Sequence, residues 1–234
     1  MSAEAAITAG DLRLAFGEGA SEVVALDGVD ITLRRGELTL LMGPSGSGKS
    51  SLLSVLSGLV RPDAGRLEAM GRDVTVMNDR QRTGFRRDHC GFVFQSVTLF
   101  PALTAEQQIA MPLEYLGYDR SKARAIARER LEEVGLGARR GHRPGQMSGG
   151  ENQRVAIARM LAKSPDLIFC DEPTSALDGE NGALVANLLK EASRSYSAMV
   201  FCVTHDHRLE PHADRVIDIA DAQIVSERPG GAVS

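Results

Sequence analysis

Between the apolar run Leu38–Met42 and the helix-spaced leucines Leu52, Leu53 and Leu56 lies the segment that most constrains this chain: Gly43-Pro44-Ser45-Gly46-Ser47-Gly48-Lys49-Ser50. The pattern GxxxxGK[ST] turns a strand sharply into a helix. Its glycines let successive backbone N–H groups point inward, and the helix start behind them adds the positive end of its dipole. That cradle suits phosphate groups. Lys49 supplies a point charge for the β- and γ-phosphates of a nucleotide, and the Ser50 hydroxyl can ligate Mg²⁺. Ser51, next in the first helical turn, belongs to the same binding segment. Gly58 and Pro62 end this helix after Leu59.

A strand–loop–helix of this kind needs a sheet around it. The chain has 234 residues, 43% hydrophobic and 25% charged, enough for one sizeable α/β domain with an inserted subdomain. Residues 11–42 read as short strands with turns, including Val23–Leu26 and Val29–Leu33, and strand-and-turn structure continues to about Gly84. Gly91–Phe94 reads as a buried strand. From about Leu103 the pattern becomes helical: Ser121 is positioned to cap Lys122–Val134, and Glu151–Ala162 forms another helix. Two strand–helix units follow, Leu167–Cys170 with Asn181–Arg194 and Met199–Val203 with Pro211–Ala213. Val216–Ile219 and Ile224–Val225 are the last strands. Strands and helices alternating on both sides of a helical block predict a parallel-sheet core with an inserted helical subdomain.

The net charge of −4 argues against nucleic acid as a partner. No stretch approaches the ~20 apolar residues that span a bilayer. Met1–Asp11 lacks the basic start and apolar centre of a secretory signal. Cys90, Cys170 and Cys202 lack metal-ligand spacing, and the last two read as buried small hydrophobes suited to a reducing compartment.

Two further segments carry chemistry. Leu167-Ile168-Phe169-Cys170-Asp171-Glu172 is an apolar strand ending in two acids, at the strand end where open α/β sheets bind ligands. Asp171 suits Mg²⁺ and Glu172 suits polarising an attacking water, although two acids can also simply cap a turn. Met147-Ser148-Gly149-Gly150-Glu151-Asn152-Gln153-Arg154 puts a serine and two glycines at a helix start. This is either a good N-cap or a second phosphate-binding terminus. As a phosphate site it has no lysine or metal ligand of its own. A two-fold dimer completes it if each chain's Ser148–Gly150 closes over the other's nucleotide.

Taken together, these segments resemble the ABC ATPase family from about residue 11 to 226. Ser148-Gly149-Gly150-Glu151-Asn152-Gln153-Arg154 is the most specific of them, with Met147 and Glu151 where the family usually has Leu and Gln. The resemblance implies the P-loop ABC fold: a single domain over 1–228, with residues 1–95 and 164–228 forming a parallel-sheet core with an antiparallel β subdomain. It places a helical subdomain at 96–163 and a disordered tail at 229–234. It implies that Gln95 touches Mg²⁺ and water, that Ser175-Ala176-Leu177-Asp178 crosses the dimer interface, and that His205 contacts the γ-phosphate. Phe16 falls where an aromatic stacks on adenine, or else it is a core residue. Asp221-Ala222-Gln223 departs from the family's usual glycine, so the final hairpin turn is expected to differ.

The implied activity is ATP hydrolysis with Mg²⁺ by a homodimer that sandwiches two ATP, with Lys49, Glu172 and His205 as catalytic residues. The implied partner is an integral-membrane permease subunit holding the chain to the cytoplasmic face of the plasma membrane. Leu99, Phe100, Leu103, Met111, Leu113, Tyr115 and Leu116 divide between packing the helical subdomain and lining a groove for that partner. Val97–Gly117, Val203–Val225 and the phosphate-loop neighbourhood are most similar to macrolide-exporter and lipoprotein-release subunits. A cell-division-type ATPase regulating envelope hydrolases is the alternative. A small-molecule kinase would not need Ser148–Gly150, and an inactive scaffold would not retain Lys49, Glu172 and His205.

Overall fold

The computed structural model describes residues 4–17, 19–175 and 177–231. Its spine is a six-stranded sheet in the order β10-β9-β3-β8-β7-β6. The strands are β3 (Leu38–Met42), β6 (Cys90–Val93), β7 (Leu167–Asp171), β8 (Met199–Val203), β9 (Arg215–Ala220) and β10 (Gln223–Pro229). All neighbours are parallel except the β9–β10 hairpin. A second, antiparallel sheet has the order β2-β1-β4-β5, built from β1 (Ala5–Phe16), β2 (Val23–Arg34), β4 (Ala64–Ala69) and β5 (Arg72–Asp73).

The central strands are buried on both faces, which explains why they read as unbroken apolar runs. Alternate residues feed two cores. Leu40, Ile168, Cys170, Val200 and Cys202 pack toward the helices, while Leu41, Phe169, Phe201 and Val203 pack toward the second sheet. On the helix side stand α3 (Ala105–Tyr115), α4 (Arg120–Glu133), α5 (Gly149–Leu161) and α6 (Gly179–Ser195). Helix α1 (Lys49–Leu56) buries Leu52, Leu53, Val55 and Leu56 between the two sheets. All three cysteines are buried and unpaired.

Several local expectations change. The section expected to be strand and turn to Gly84 contains α2 (Asp79–His89). Its only buried residue is Phe85, so no apolar stripe announces it, and a capping box between Asn78 and Gln81 starts it. Asp119, not Ser121, caps α4 by accepting from the N–H groups of Ser121 and Lys122. Strand β2 is continuous where two short strands were expected, with Gly28 at φ 68° inside it. The segment expected to be helical at Pro211–Ala213 is a 3₁₀ stretch, His207–His212. Helix α1 stops short of Leu59, which is 43% exposed.

At the final hairpin the expectation of an altered turn fails. Asp221 (φ 47°) and Ala222 (φ 64°) are both left-handed, as a two-residue hairpin turn of the primed kind requires. The Ala222 methyl is buried, and its carbonyl accepts from Asp27 N–H at 3.0 Å, which offsets the strain. The start of the tail expected to be disordered is ordered: Pro229 belongs to β10, and Gly230 and Gly231 donate to the carbonyls of Asp214 and Glu210. Residues 232–234 lie outside the described residues.

The two sheets are joined by Arg215. It pairs with Glu37 (Nε–Oε1 2.9 Å) and Glu227 (3.0 Å) and donates to the Thr32 carbonyl on β2. Its side chain is 10% exposed and that of Glu37 14%. Arg215→Ala leaves the largely buried Glu37 with only a 3.8 Å contact to Arg34 and the Thr39 hydroxyl at 3.1 Å, so the free energy of unfolding should fall by about 3 kcal/mol in denaturant titration.

Candidate functional site

The geometry of the phosphate loop explains its glycines. Gly43 has φ 153°, Gly46 81° and Gly48 101°. A Cβ on Gly43 would stand 2.1 Å from the Ile219 carbonyl oxygen, and one on Gly48 2.3 Å from that of Ala25. The loop is therefore pressed between β9 and β2, and only glycine allows both its conformation and its closeness. Pro44, Ser45 and Gly46 are exposed, while the Ser47 side chain is buried beneath them. Lys49 Nζ spans the loop, donating to the carbonyls of Gly43 (2.9 Å) and Pro44 (2.6 Å).

A cleft of about 260 Å³ opens beside the loop, lined by Phe16, Val23 and Val24 on one side and Gly46, Gly48, Lys49, Ser50 and Ser51 on the other. Phe16 is 50% exposed, so the core-aromatic reading of that residue is excluded. The cleft joins an apolar, π-bearing wall to a phosphate-shaped loop, the two surfaces a nucleotide offers.

The acids stand at the end of β7. Asp171 Oδ1 is 3.5 Å from Ser50 Oγ. Burial pushes the Asp171 carboxyl above its ordinary range, the Glu172 charge reinforces this, and Ser50 and Lys49 oppose it. A half-buried carboxylate facing a hydroxyl fits an oxygen-ligated divalent cation. Gln95 is exposed, two residues beyond the end of β6.

Glu172 has φ 48°, an uncommon conformation for a residue other than glycine, held by its N–H bond to the Val203 carbonyl at 2.9 Å. This turns its side chain toward the end of β8. Oε1 meets His205 Nδ1 at 2.7 Å, and Oε2 accepts from Thr204 Oγ1 at 3.2 Å. The Glu172 side chain is 12% exposed and that of His205 70%, so the imidazole projects outward from a buried carboxylate.

Sequence reasoning missed the supports beneath this pair. Asp206 accepts from Thr174 Oγ1 (2.7 Å) and from Arg208 (2.8 Å). Burial opposes ionisation of Asp206, but these bonds prevail and hold its pKa at about 2. Gln153, buried on α5, donates to the Pro173 carbonyl at 2.9 Å, tying the turn after Glu172 to that helix. These contacts join residues distant in sequence, and no spacing rule announces them.

At the start of α5, Ser148 Oγ accepts from Glu151 N–H (3.2 Å) while the Glu151 carboxylate accepts from Ser148 N–H (2.8 Å). Arg139 Nε pairs with Glu151 at 3.0 Å. The N-cap and first-turn reading of this segment is thus correct. Ser148 and Gly149 are exposed, and Gly150 is packed against Asn181. Asn181 accepts from Arg154 (2.6 Å) and donates to Asp178, the N-cap of α6. Residues of α5 do not line the cleft beside Lys49. Ala176, in the loop before Asp178, lies outside the described residues.

Residues 26–175 match the family described as ABC transporter. The chain belongs to the ABC transporter family. The macrolide export ATP-binding/permease protein MacB of Marinobacter nauticus is 42% identical over 227 residues, covering 97% of this chain but 35% of its own. The chain thus spans about a third of that relative's length. The uncharacterized ABC transporter ATP-binding protein YbbA of Escherichia coli K12 is 39% identical across 97% of this chain and 100% of its own. Among solved structures, the ATP-binding cassette MJ0796 in a dimeric post-hydrolysis state bound to ADP and Pi is similar, with TM-score 0.87 and 34% identity. That likeness covers 95% of this chain and 98% of the other. The chain is an ABC transporter ATPase domain. Among the described residues no helix is long and apolar enough to cross a membrane.

The Asp206 network has a pH signature. Its folded pKa is depressed, so its stabilisation is complete above the unfolded value near ~4 and fades as pH falls toward ~2. Asp206→Asn should lower the free energy of unfolding by about 2 kcal/mol at pH 7, with the difference from the parent shrinking progressively below pH ~4 in denaturant titrations.

Proposed function

We propose that the domain works as a homodimer closing around two ATP and that its cycle moves an integral-membrane permease. The observation that carries the hydrolytic part is the Glu172–His205 contact at the ends of adjacent parallel strands, beside the phosphate loop. Loop N–H groups and Lys49 hold the β- and γ-phosphates, and Phe16 stacks on the base. Ser50 and Asp171, with Gln95, would hold a divalent cation, which would neutralise phosphate charge. Glu172 accepts hydrogen from the attacking water, and His205, fixed by Glu172, donates toward the γ-phosphate. The Glu172 carboxylate accepts from Thr204 Oγ1 and the His205 N–H and lies 2.7 Å from His205 Nδ1, so little reorganisation is needed.

The dimer reading is supported by the exposed Ser148-Gly149 terminus, which the chain's own cleft does not use. A second copy's terminus supplies hydrogen-bond donors and a positive dipole end to the γ-phosphate. Loss of the γ-phosphate removes those contacts, and the halves part. Relatives named as export ATP-binding/permease proteins support the permease partner, and an exporter or lipoprotein-release type of system is the reading we favour.

Lys49→Ala should weaken ATP binding at least about tenfold in calorimetry, because a charge-assisted phosphate contact is lost. Glu172→Gln should keep ATP affinity, lose at least about a hundredfold in turnover, and form a dimer with Mg-ATP in light scattering. Parental turnover in Glu172→Gln would remove Glu172 from its role, and a monomer that binds ATP would count against the sandwich.

A further inference from the structure

Arg208 stands three residues beyond His205 and does not line the cleft beside Lys49. Its guanidinium holds Asp206 as a fork, with Nε to Oδ1 and Nη2 to Oδ2 both at 2.8 Å. This two-point pairing fixes the plane of the guanidinium as well as its charge. Nη2 also reaches the Leu177 carbonyl at 3.5 Å. Leu177 N–H in turn donates to the Thr174 carbonyl at 2.9 Å, and Thr174 Oγ1 donates to Asp206 Oδ2 at 2.7 Å. The four residues close a ring of hydrogen bonds between the segment that carries His205 and the loop that follows Glu172.

The ring is seated on α6. A Cβ on Gly182 would stand 3.7 Å from Arg208 Cζ and both terminal nitrogens, and one on Gly179 would stand 3.8 Å from Nη1. Neither glycine has a left-handed φ. The bare first turn of α6 therefore accommodates a flat cation, with room for a methyl group and nothing longer. Asp178, the N-cap of α6, is the second acid near Arg208. At its other corner the ring joins the network that holds Glu172: Asp206 N–H donates to Thr204 Oγ1 at 3.0 Å, and that hydroxyl donates to Glu172 at 3.2 Å. The Arg208 side chain is 49% exposed, so solvent screens much of its attraction to Asp206. What the fork adds is geometry.

We infer that Arg208 is a positioning residue for hydrolysis, whose planar fork makes the His205 segment and the Leu177–Asp178 loop move as one body, so that closure of the dimer is passed to His205. The inference rests on the sandwich reading above, with the loop before α6 at the interface as the family resemblance implies. A loop pressed by the second copy shifts the Leu177 carbonyl. The ring carries that shift through Thr174 to Asp206, and His205 follows as the next residue in the chain. The 3.5 Å link is the loose joint of the ring, which a shift of the loop makes or breaks. Lysine at this position would neutralise Asp206, but one ammonium cannot hold both carboxylate oxygens and the Leu177 carbonyl in one plane.

The test compares Arg208→Met and Arg208→Lys with the parent in the full chain. Turnover is followed with radiolabelled Mg-ATP, and the affinity and stoichiometry of ATP binding by calorimetry. Arg208→Met should lower kcat about tenfold or more, because a small misplacement of a reacting group costs that much, while KM and ATP affinity stay within about twofold of the parent. Binding stoichiometry should match the parent's, which separates lost geometry from a lost folded fraction. Arg208→Lys should recover the parental unfolding midpoint but no more than about a third of the turnover. In a Glu172→Gln background, Arg208→Met should still dimerise with Mg-ATP in light scattering, because the residue relays closure and does not build the interface. Parental turnover in Arg208→Met would overturn the inference. So would full recovery in Arg208→Lys, a stoichiometry that falls in step with kcat, or a dimer lost only when Arg208 is replaced. Failure of the sandwich reading looks different: Glu172→Gln with Arg208 intact then stays monomeric, and the relay falls with it.

Discussion

One rung of the parallel sheet holds the site together. Val203 on β8 is in register with Leu41 on β3 and with Asp171 on β7. Three chain segments therefore leave the sheet at one level: the phosphate loop after Met42, Glu172 after Asp171, and Thr204-His205 after Val203. The ladder continues slightly past the strands through bonds from Glu172 N–H to Val203 and from Thr204 N–H to Leu41. A slip of one residue in any of these strands would turn its core residues to the other face and break the Glu172–His205 contact. Apolar burial on both faces makes such a slip costly. The precision of the polar site thus derives from the packing of residues such as Ile168, Phe169, Val200 and Phe201.

Above that rung, rigidity comes from bonds between loops. Gln153 holds the turn after Glu172 against α5, Asn181 links α5 to Asp178, and Thr174 with Arg208 fixes Asp206 beside His205. These contacts connect the helix that begins at Ser148 to the loop that carries the acids. Movement of α5 against the sheet is therefore felt at the Pro173 carbonyl, one residue from Glu172. The departure Glu151 is accommodated locally: its carboxylate accepts from the Ser148 N–H in the capping box and pairs with Arg139 at a helix N-terminus that favours negative charge.

Much of this was legible in the chain itself. The phosphate loop, the acids after Cys170 and the serine-glycine helix start each carry their chemistry in consecutive residues, so spacing alone exposes them. The doubly buried strands announced themselves as apolar runs for the same reason. Helix α2 did not, because its surface is charged and a single phenylalanine anchors it. The hairpin at Asp221-Ala222 misled because propensity disfavours left-handed alanine, whereas burial of its methyl and a bond from Asp27 made that conformation tolerable. Phe16 could be a core or cleft residue by pattern, and only the placement of β1 beside the loop decided it.

The sequence by itself determined the chemistry available: a lysine and a hydroxyl in a glycine loop, two acids at a strand end, a histidine after another. It also determined the α/β class, since the strand and helix periodicities are local. The tertiary structure decided which of these groups meet. That Glu172 turns to His205, that Arg215 ties one sheet to the other, and that Arg208 meets Leu177 all depend on contacts between residues far apart in the chain. Such contacts follow from sheet order and register, which arise from burial of the whole core and leave no mark in any short stretch of residues.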